Sequence, residues 1–331
     1  MDPKVFPTTR DAQCGMRSPT QRNLDFSAID GLLSGVFGVN VSDVGELSGG
    51  GFAAVWRARL TDGRDVVVKI GPPPGARLLR YERDLIAAEA AYFRTVRAGA
   101  PGVPVPEVLH VADDWIVTTM LPGRSLSEPA DGGGTSGTAG VREQLGTAIA
   151  GLHRITGPHF GYTGDRAAGV DWPAAYGAII ADLLADAADW AVPLPPGIDA
   201  LAARHHANLA RVTRPALLHF DLWDGNVLAA EGRLTGLVDG ERFLWGDPLL
   251  DLVSPALFHR IEEEPEHPFL RGYTAATGLV LDDAARTRLA LYRVHLYTLM
   301  LAEGPSRGIP VGRERHDYLT VLLEGELRDL K

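Results

Sequence analysis

One stretch constrains this chain more than any other: Leu218–Leu252, which reads LHFDLWDGNVLAAEGRLTGLVDGERFLWGDPLLDL. Leu217-Leu218 is an apolar run entering a loop, Asn226–Ala229 is a short strand, Glu231-Gly232 is turn chemistry and Leu234–Val238 is a second strand. The predicted hairpin carries Asp221 ahead of its first strand, Asn226 at that strand's start and Asp239 after its second strand. Antiparallel pairing through a tight turn places Asn226 and Asp239 at the same open end. An amide oxygen and a carboxylate are hard ligands suited to Mg²⁺, which takes few protein ligands plus substrate phosphates. Asp221 is left beside that pair, able to accept a proton, and the set matches the needs of phosphoryl transfer.

The chain upstream supplies what such a site lacks. Val44–Leu60 holds Ser48-Gly49-Gly50-Gly51-Phe52, a Gly-rich turn whose backbone N–H groups can approach a phosphate, followed by strand-like alternation. It is not a Walker sequence, since no Gly-Lys-Ser/Thr follows. Asp65–Ile70 is a buried-type strand on which Lys69 points away from Val66, Val68 and Ile70. A helix is expected over Leu78–Arg97, with Glu82, Leu85, Ile86, Glu89, Phe93 and Val96 on one face. A carboxylate among those apolar neighbours is costly unless paired, and Lys69 is the available cation. Glu89 is the expected partner, with Glu82, two turns earlier, as the alternative.

His219-x-Asp221-x-x-x-x-Asn226, then Val238-Asp239-Gly240, then Gly246-Asp247-Pro248-x-x-Asp251-Leu252, resembles the aminoglycoside phosphotransferase, choline kinase and fructosamine kinase branch of the protein-kinase-like fold. Asp221-Leu222-Trp223 is most similar to the fructosamine kinase subgroup, which usually has Gly where this chain has Phe220. The resemblance implies an α+β, bilobal architecture: a flexible tail over 1–22, a small antiparallel-sheet N-lobe over 23–120 and a larger, mostly helical C-lobe over 121–331. It implies ATP held by the Gly-rich turn, Lys69 and Glu89, with residues 118–123 as the hinge whose Thr119, Met120 and Leu121 meet the adenine edge. Asn226 and Asp239 would bind Mg²⁺, Asp221 would be the catalytic base and His219 would fix the loop. Asp247 and Asp251 would hydrogen-bond the loop and cap the following helix.

The acceptor is a small-molecule hydroxyl, with an aminoglycoside-like or other amino-sugar compound the first expectation and a ketosamine the second. A nucleotide-binding pseudokinase or scaffold is the reading from a different class, and the presence of Lys69, Glu89, Asp221, Asn226 and Asp239 argues against it. ATP over GTP preference and monomer against homodimer stay open at this point.

Composition narrows the partners. The net charge is −10 and the pI about 5.5, which disfavours nucleic acid or anionic membrane as the main partner. Cys14 is the only cysteine, so neither an intrachain disulfide nor a thiolate cluster can form. The first residues show no apolar signal-type core and no span of eighteen apolar residues occurs, so a cytoplasmic protein is expected. Asp131–Gly140 is Gly-rich and reads as a flexible insertion. Helices are expected over Val141–Arg154, 172–210 with a break at Pro193–Gly197, Arg286–Glu303 and His316–Leu327, with His153 at a helix C-terminus where the macrodipole favours it. Asp182, Asp186 and Asp189 recur on one face as either a solvated surface or an acidic rim for a cationic substrate.

Overall fold

The computed structural model describes residues 18–47, 51–128 and 138–331. Ser48, Gly49, Gly50, Cys14 and most of the Gly-rich insertion lie outside the described residues. The N-terminal region is a five-stranded antiparallel sheet in the order β1-β2-β3-β5-β4: β1 Val41–Leu47, β2 Ala54–Leu60, β3 Asp65–Ile70, β4 Val108–Val111 and β5 Trp115–Thr119. One face buries Ala54, Trp56, Val66, Val68 and Ile70 against Ile29 and Leu33 of helix α1 (Phe26–Phe37). The Asp25 side chain caps α1 by accepting from Ala28 N at 2.9 Å, and Gly38, at φ 68°, ends it in the left-handed conformation that glycine adopts without steric cost. The opposite face of the sheet packs helix α2 (Leu85–Gly99), with Ile86 and Ala90 meeting Ile116.

Helix α2 begins seven residues later than its apolar pattern suggests. Arg80–Glu82 is a 3₁₀ turn and Asp84 is left-handed at φ 55°. The cause lies outside the local sequence: the Glu82 carboxylate accepts Leu79 N at 2.8 Å and is claimed by Arg307. A buried carboxylate takes the geometry that pairs it. Ser18–Arg22, expected to belong to a loose tail, are instead tied down. Thr20 Oγ1 donates to Gly51 O at 2.9 Å, Gln21 Nε2 to Ala53 O at 3.1 Å and Arg22 Nη2 to Pro72 O at 2.9 Å.

The C-terminal region is mainly helical: α3 Thr138–Leu152, α4 Trp172–Asp189, the single turns α5 Leu201–Arg204 and α6 His206–Leu209, α7 Pro268–Thr277, α8 Asp283–Ala302 and α9 Glu314–Asp329. The helical stretch expected across 172–210 runs to Asp189, is interrupted from Ala191 (φ 53°) through the expected break at Pro193–Gly197, and resumes in α5 and α6. Helices α3 and α7 approach closely because Gly146 and Gly272 offer no side chain. A Cβ on either would fall about 2 Å from a backbone oxygen of the other helix. Two small sheets complete the region. One pairs β10 (Val227–Ala230) with β11 (Arg233–Leu237) and with β6 (Arg124–Ser125). The other joins β7 (Phe160–Gly161), β8 (Ala168–Gly169), β9 (Ala216–Leu218) and β12 (Leu244–Gly246) in the order β8-β7-β12-β9. Asp186 is buried rather than solvated, holding Arg80 N at 3.0 Å and Arg80 Nη1 at 2.5 Å. Among the described residues no helix is long and apolar enough to cross a membrane.

Candidate active site

Lys69 stands on β3 facing α2, opposite the core side of the sheet, and is almost fully buried. Its ammonium is 3.0 Å from Glu89 Oε2 and 2.9 Å from Asp239 Oδ1, and it also donates to Glu241 Oε2. Burial alone would discharge this lysine. Asp239, Glu241 and Glu89 outweigh that cost and hold its pKa well above the ordinary range. Glu89 is pushed up to about 8, first by burial against the pull of Lys69, then by its acidic neighbours Glu241 and Asp239. Asp239 goes the other way, because Lys69 overcomes the desolvation of its carboxylate. The choice between the two glutamates is settled: Glu89 meets Lys69, and Glu82 meets Arg307.

The hairpin delivers the second half of the site. Glu231 and Gly232, at φ 50° and 72°, make the turn that pairs Val227 with Leu237. Val238 N donates to Asn226 O at 3.1 Å, so Asn226 and the residue before Asp239 are bonded at the open end. Asn226 Nδ2 donates to Asp221 O at 2.9 Å, which leaves the amide oxygen as the atom available to a cation. Asp239 adopts φ 58°, a left-handed conformation that Asp tolerates better than most residues. Gly240 follows because a Cβ there would fall 2.1 Å from the Tyr92 ring of α2. The donor set of Asn226 and Asp239, two hard oxygens next to a buried ammonium, fits a magnesium ion shared with phosphates.

Between these points runs the loop His219–Asp221. His219 Nδ1 accepts from Asp221 N at 3.2 Å and its Nε2 donates to Val238 O at 3.0 Å, so one neutral tautomer ties the loop to the end of β11. Burial lowers the His219 pKa, consistent with an imidazole that stays neutral. Asp251 accepts His219 N at 2.9 Å and Phe220 N at 2.6 Å. His153, at the C-terminal end of α3 as expected, reaches the same carboxylate through Nε2 at 3.0 Å and takes Tyr273 OH on Nδ1 at 2.8 Å, so it is also a buried link of this network. Asp247 accepts Leu249 N at 3.1 Å, Arg288 Nε at 2.7 Å and Tyr292 OH at 2.7 Å. Phe220 sits at φ 64°, where glycine would be unstrained, and is held by stacking on the buried His295 ring at 4.7 Å. Asp221 is raised to about 6, by burial first and by Asp239, Glu303 and Glu241, with Arg242 opposing.

Other expected contacts are placed less directly. Of the Gly-rich turn, Gly51 packs on the Arg307 side chain and Phe52 lies under its guanidinium at 5.5 Å. At the end of β5, Thr119 N donates to Glu107 O at 2.9 Å and Met120 N to Asp65 O at 3.2 Å, so the backbone N–H groups of these two residues are already engaged. Sequence reasoning missed Glu241, Arg242, Tyr81, Glu303 and Arg307. Glu241 carried a signal, two residues past Asp239, but the others meet only through tertiary folding.

Comparison with known proteins now adds what geometry alone does not. The model of the phosphotransferase enzyme family (APH) matches residues 43–292, three quarters of the chain. The chain belongs to this family. It is an ATP-dependent small-molecule kinase by class. No curated protein matched the chain. Among solved structures, a candidate fructosamine-3-kinase from Thermobifida fusca aligns with a TM-score of 0.69 at 22% identity, over 92% of this chain and 100% of that one. Aminoglycoside phosphotransferase APH(4)-Ia, in a ternary complex with ADP and hygromycin B, aligns at 0.62 and 18% identity, over 91% and 98%. The macrolide 2'-phosphotransferase MphH from Brachybacterium faecium aligns at 0.53 and 20%, over 90% and 97%. At these identities the three structures carry the fold, which is the protein-kinase-like one, and not the acceptor.

Proposed function

We propose that this phosphotransferase moves the γ-phosphoryl group of ATP to a hydroxyl of a small molecule, with Asp221 accepting the proton. The supporting observation is the convergence of Lys69, Glu89 and Asp239 within 3.0 Å contacts, beside a hairpin that presents Asn226 and Asp221. Lys69 orients the phosphates and Glu89 holds Lys69. Asn226 and Asp239 would hold magnesium, which neutralises phosphate charge when bound. Asp221 orients the acceptor O–H and takes its proton as the new P–O bond forms and the bond to the ADP oxygen breaks. Gly51 and Phe52 would lie towards the phosphates, and the carbonyls of Thr119 and Met120, with Leu121, would line the base. The proposed lobes are 23–120 and 121–331, with the nucleotide between them.

The acceptor we favour is an amino-sugar compound, because the net charge of −10 suits a cationic substrate. Asp221-Leu222-Trp223 supports a ketosamine as the second reading. The test is ADP release from MgATP with hygromycin B, a broader aminoglycoside panel and fructosyl-lysine. Asp221→Asn should lower kcat by about 100-fold or more, the scale of a lost general base, while MgADP binding stays within about threefold. Transfer at the parent rate by that variant would refute the assignment.

A further inference from the structure

Arg242 lies three residues past Asp239, on the 3₁₀ turn Gly240–Arg242 that Tyr92 fixes from above. Its guanidinium faces three elements at once. Nη2 is 3.0 Å from Glu303 Oε2 at the end of α8, Nε is 3.9 Å from Asp221 Oδ2, and the Tyr81 ring lies 5.7 Å from Cζ. Glu303 is fixed from a further side, since the same Oε2 accepts Tyr81 OH at 2.7 Å and Arg307 Nη2 stands 3.6 Å away. Arg307 in turn holds Glu82. Among the described residues, Arg242 is the one basic side chain within 4 Å of the Asp221 carboxylate.

We propose that Arg242 is a positioning residue for Asp221, aiming its carboxylate at the acceptor and coupling it through Glu303 and Tyr81 to the segment that leads into the Glu89 helix. The idea rests on Asp221 being the proton acceptor. Asp221 lies close to Asp239, Glu241 and Glu303, so repulsion would drive a free carboxylate out of line. A planar guanidinium can serve Glu303 with one edge while its remaining N–H groups face Asp221. At 3.9 Å it attracts the carboxylate without occupying either oxygen, which leaves both for the acceptor O–H. Tyr81 and Glu82 precede α2 on the 3₁₀ turn Arg80–Glu82, so a shift of Lys69 and Glu89 relative to the C-terminal region also moves the group that holds Arg242. Phosphate-holding and proton-accepting groups then reach working geometry together.

The experiment compares Arg242→Ala, Arg242→Lys, Glu303→Gln and Asp221→Asn with the parent enzyme. ADP release is followed with MgATP and the acceptor class that the parent phosphorylates, and MgADP affinity by calorimetry. Arg242→Ala should lower kcat by 10- to 100-fold with the ATP KM within about twofold, and millimolar guanidinium chloride should restore it several-fold. Arg242→Lys should fall between, and guanidinium should not help Asp221→Asn. Glu303→Gln should show a smaller loss of the same kind. A parent-like kcat in Arg242→Ala overturns the proposal. So does a joint loss of kcat and MgADP affinity without guanidinium rescue, which would mark a purely structural arginine. Should Arg242→Ala fail to fold, a parent-like kcat in the folded Arg242→Lys and Glu303→Gln variants overturns it equally. A parent enzyme that neither binds MgADP nor releases ADP sinks the transferase reading itself and this inference with it, whereas an impaired Asp221→Asn beside an unimpaired Arg242→Ala sinks this inference alone.

Discussion

Asp251 has no exposed surface and accepts three hydrogen bonds, from His219 N, Phe220 N and His153 Nε2. Asp251→Ala leaves all three donors buried without partners. At about 1–3 kcal/mol for each orphaned group the sum is about 3–9 kcal/mol, before water or relaxation recovers part of it. Whole domains are stable by only about 5–15 kcal/mol, so this variant should be close to unfolding at 37 °C. Asp251→Asn is milder. Its amide oxygen can keep His219 N and His153, while its NH₂ then faces Phe220 N, at a cost of about 1–3 kcal/mol. At roughly 2–4 °C per kcal/mol, the melting temperature should drop by about 2–12 °C. Activity should fall by more than stability predicts. The left-handed backbone at Phe220 is held by the lost bond, and a loop displaced by about 1 Å can cost ~100-fold in rate. Differential scanning fluorimetry and ADP release on both variants check this. A melting point for Asp251→Ala within 1 °C of the parent, with parental turnover, would refute the reasoning, whose threshold is well below the ~2 °C per kcal/mol used above.

Two further outcomes follow from the charge arrangement. Lys69 donates to Asp239 and Glu241 and lies 3.0 Å from Glu89, so a phosphate must compete with these acids, and Glu241 is the one assigned neither to the lysine-holding nor to the magnesium-binding role. Glu241→Gln should therefore tighten MgADP by roughly fivefold, about 1 kcal/mol of relieved repulsion, and unchanged or weaker affinity by calorimetry would show the reverse. Asp221, raised to about 6, must be ionised to accept a proton, so kcat/KM should be flat above that pH and fall as pH drops through it. A profile that stays flat down to pH 5 would contradict the assigned base, because a carboxyl held at about 6 is mostly protonated there.

The parts of the site that sequence revealed are those that local rules control. Glu231-Gly232 is a hairpin turn in any context, and the strand period alone puts Lys69 opposite Val68. Glu89 followed from the cost of an unpaired carboxylate on an apolar helix face. What stayed hidden depends on partners far along the chain. Glu82 sits in the same periodic pattern as Glu89, yet Arg307, 225 residues later, takes it and sets where α2 begins. Arg242 gave no local sign of Glu303 or Asp221. Ser18–Arg22 looked featureless because their bonds go to backbone carbonyls at Gly51, Ala53 and Pro72 and to the distant Asp114 side chain, none of which leaves a local mark on the sequence. His153 announced a helix end but not the Asp251 carboxylate beneath it.

The Tyr92 ring lies over Gly240 and edge-on to His219 at 5.3 Å, which bolts the Glu89 helix to both the Asp239 turn and the His219 loop. Kinase-like proteins can be switched by swinging such a helix outward as a lever. Here the helix and the two catalytic-loop segments are packed as one block, so a displacement of Glu89 would carry the Asp239 turn and the His219–Asp221 loop with it.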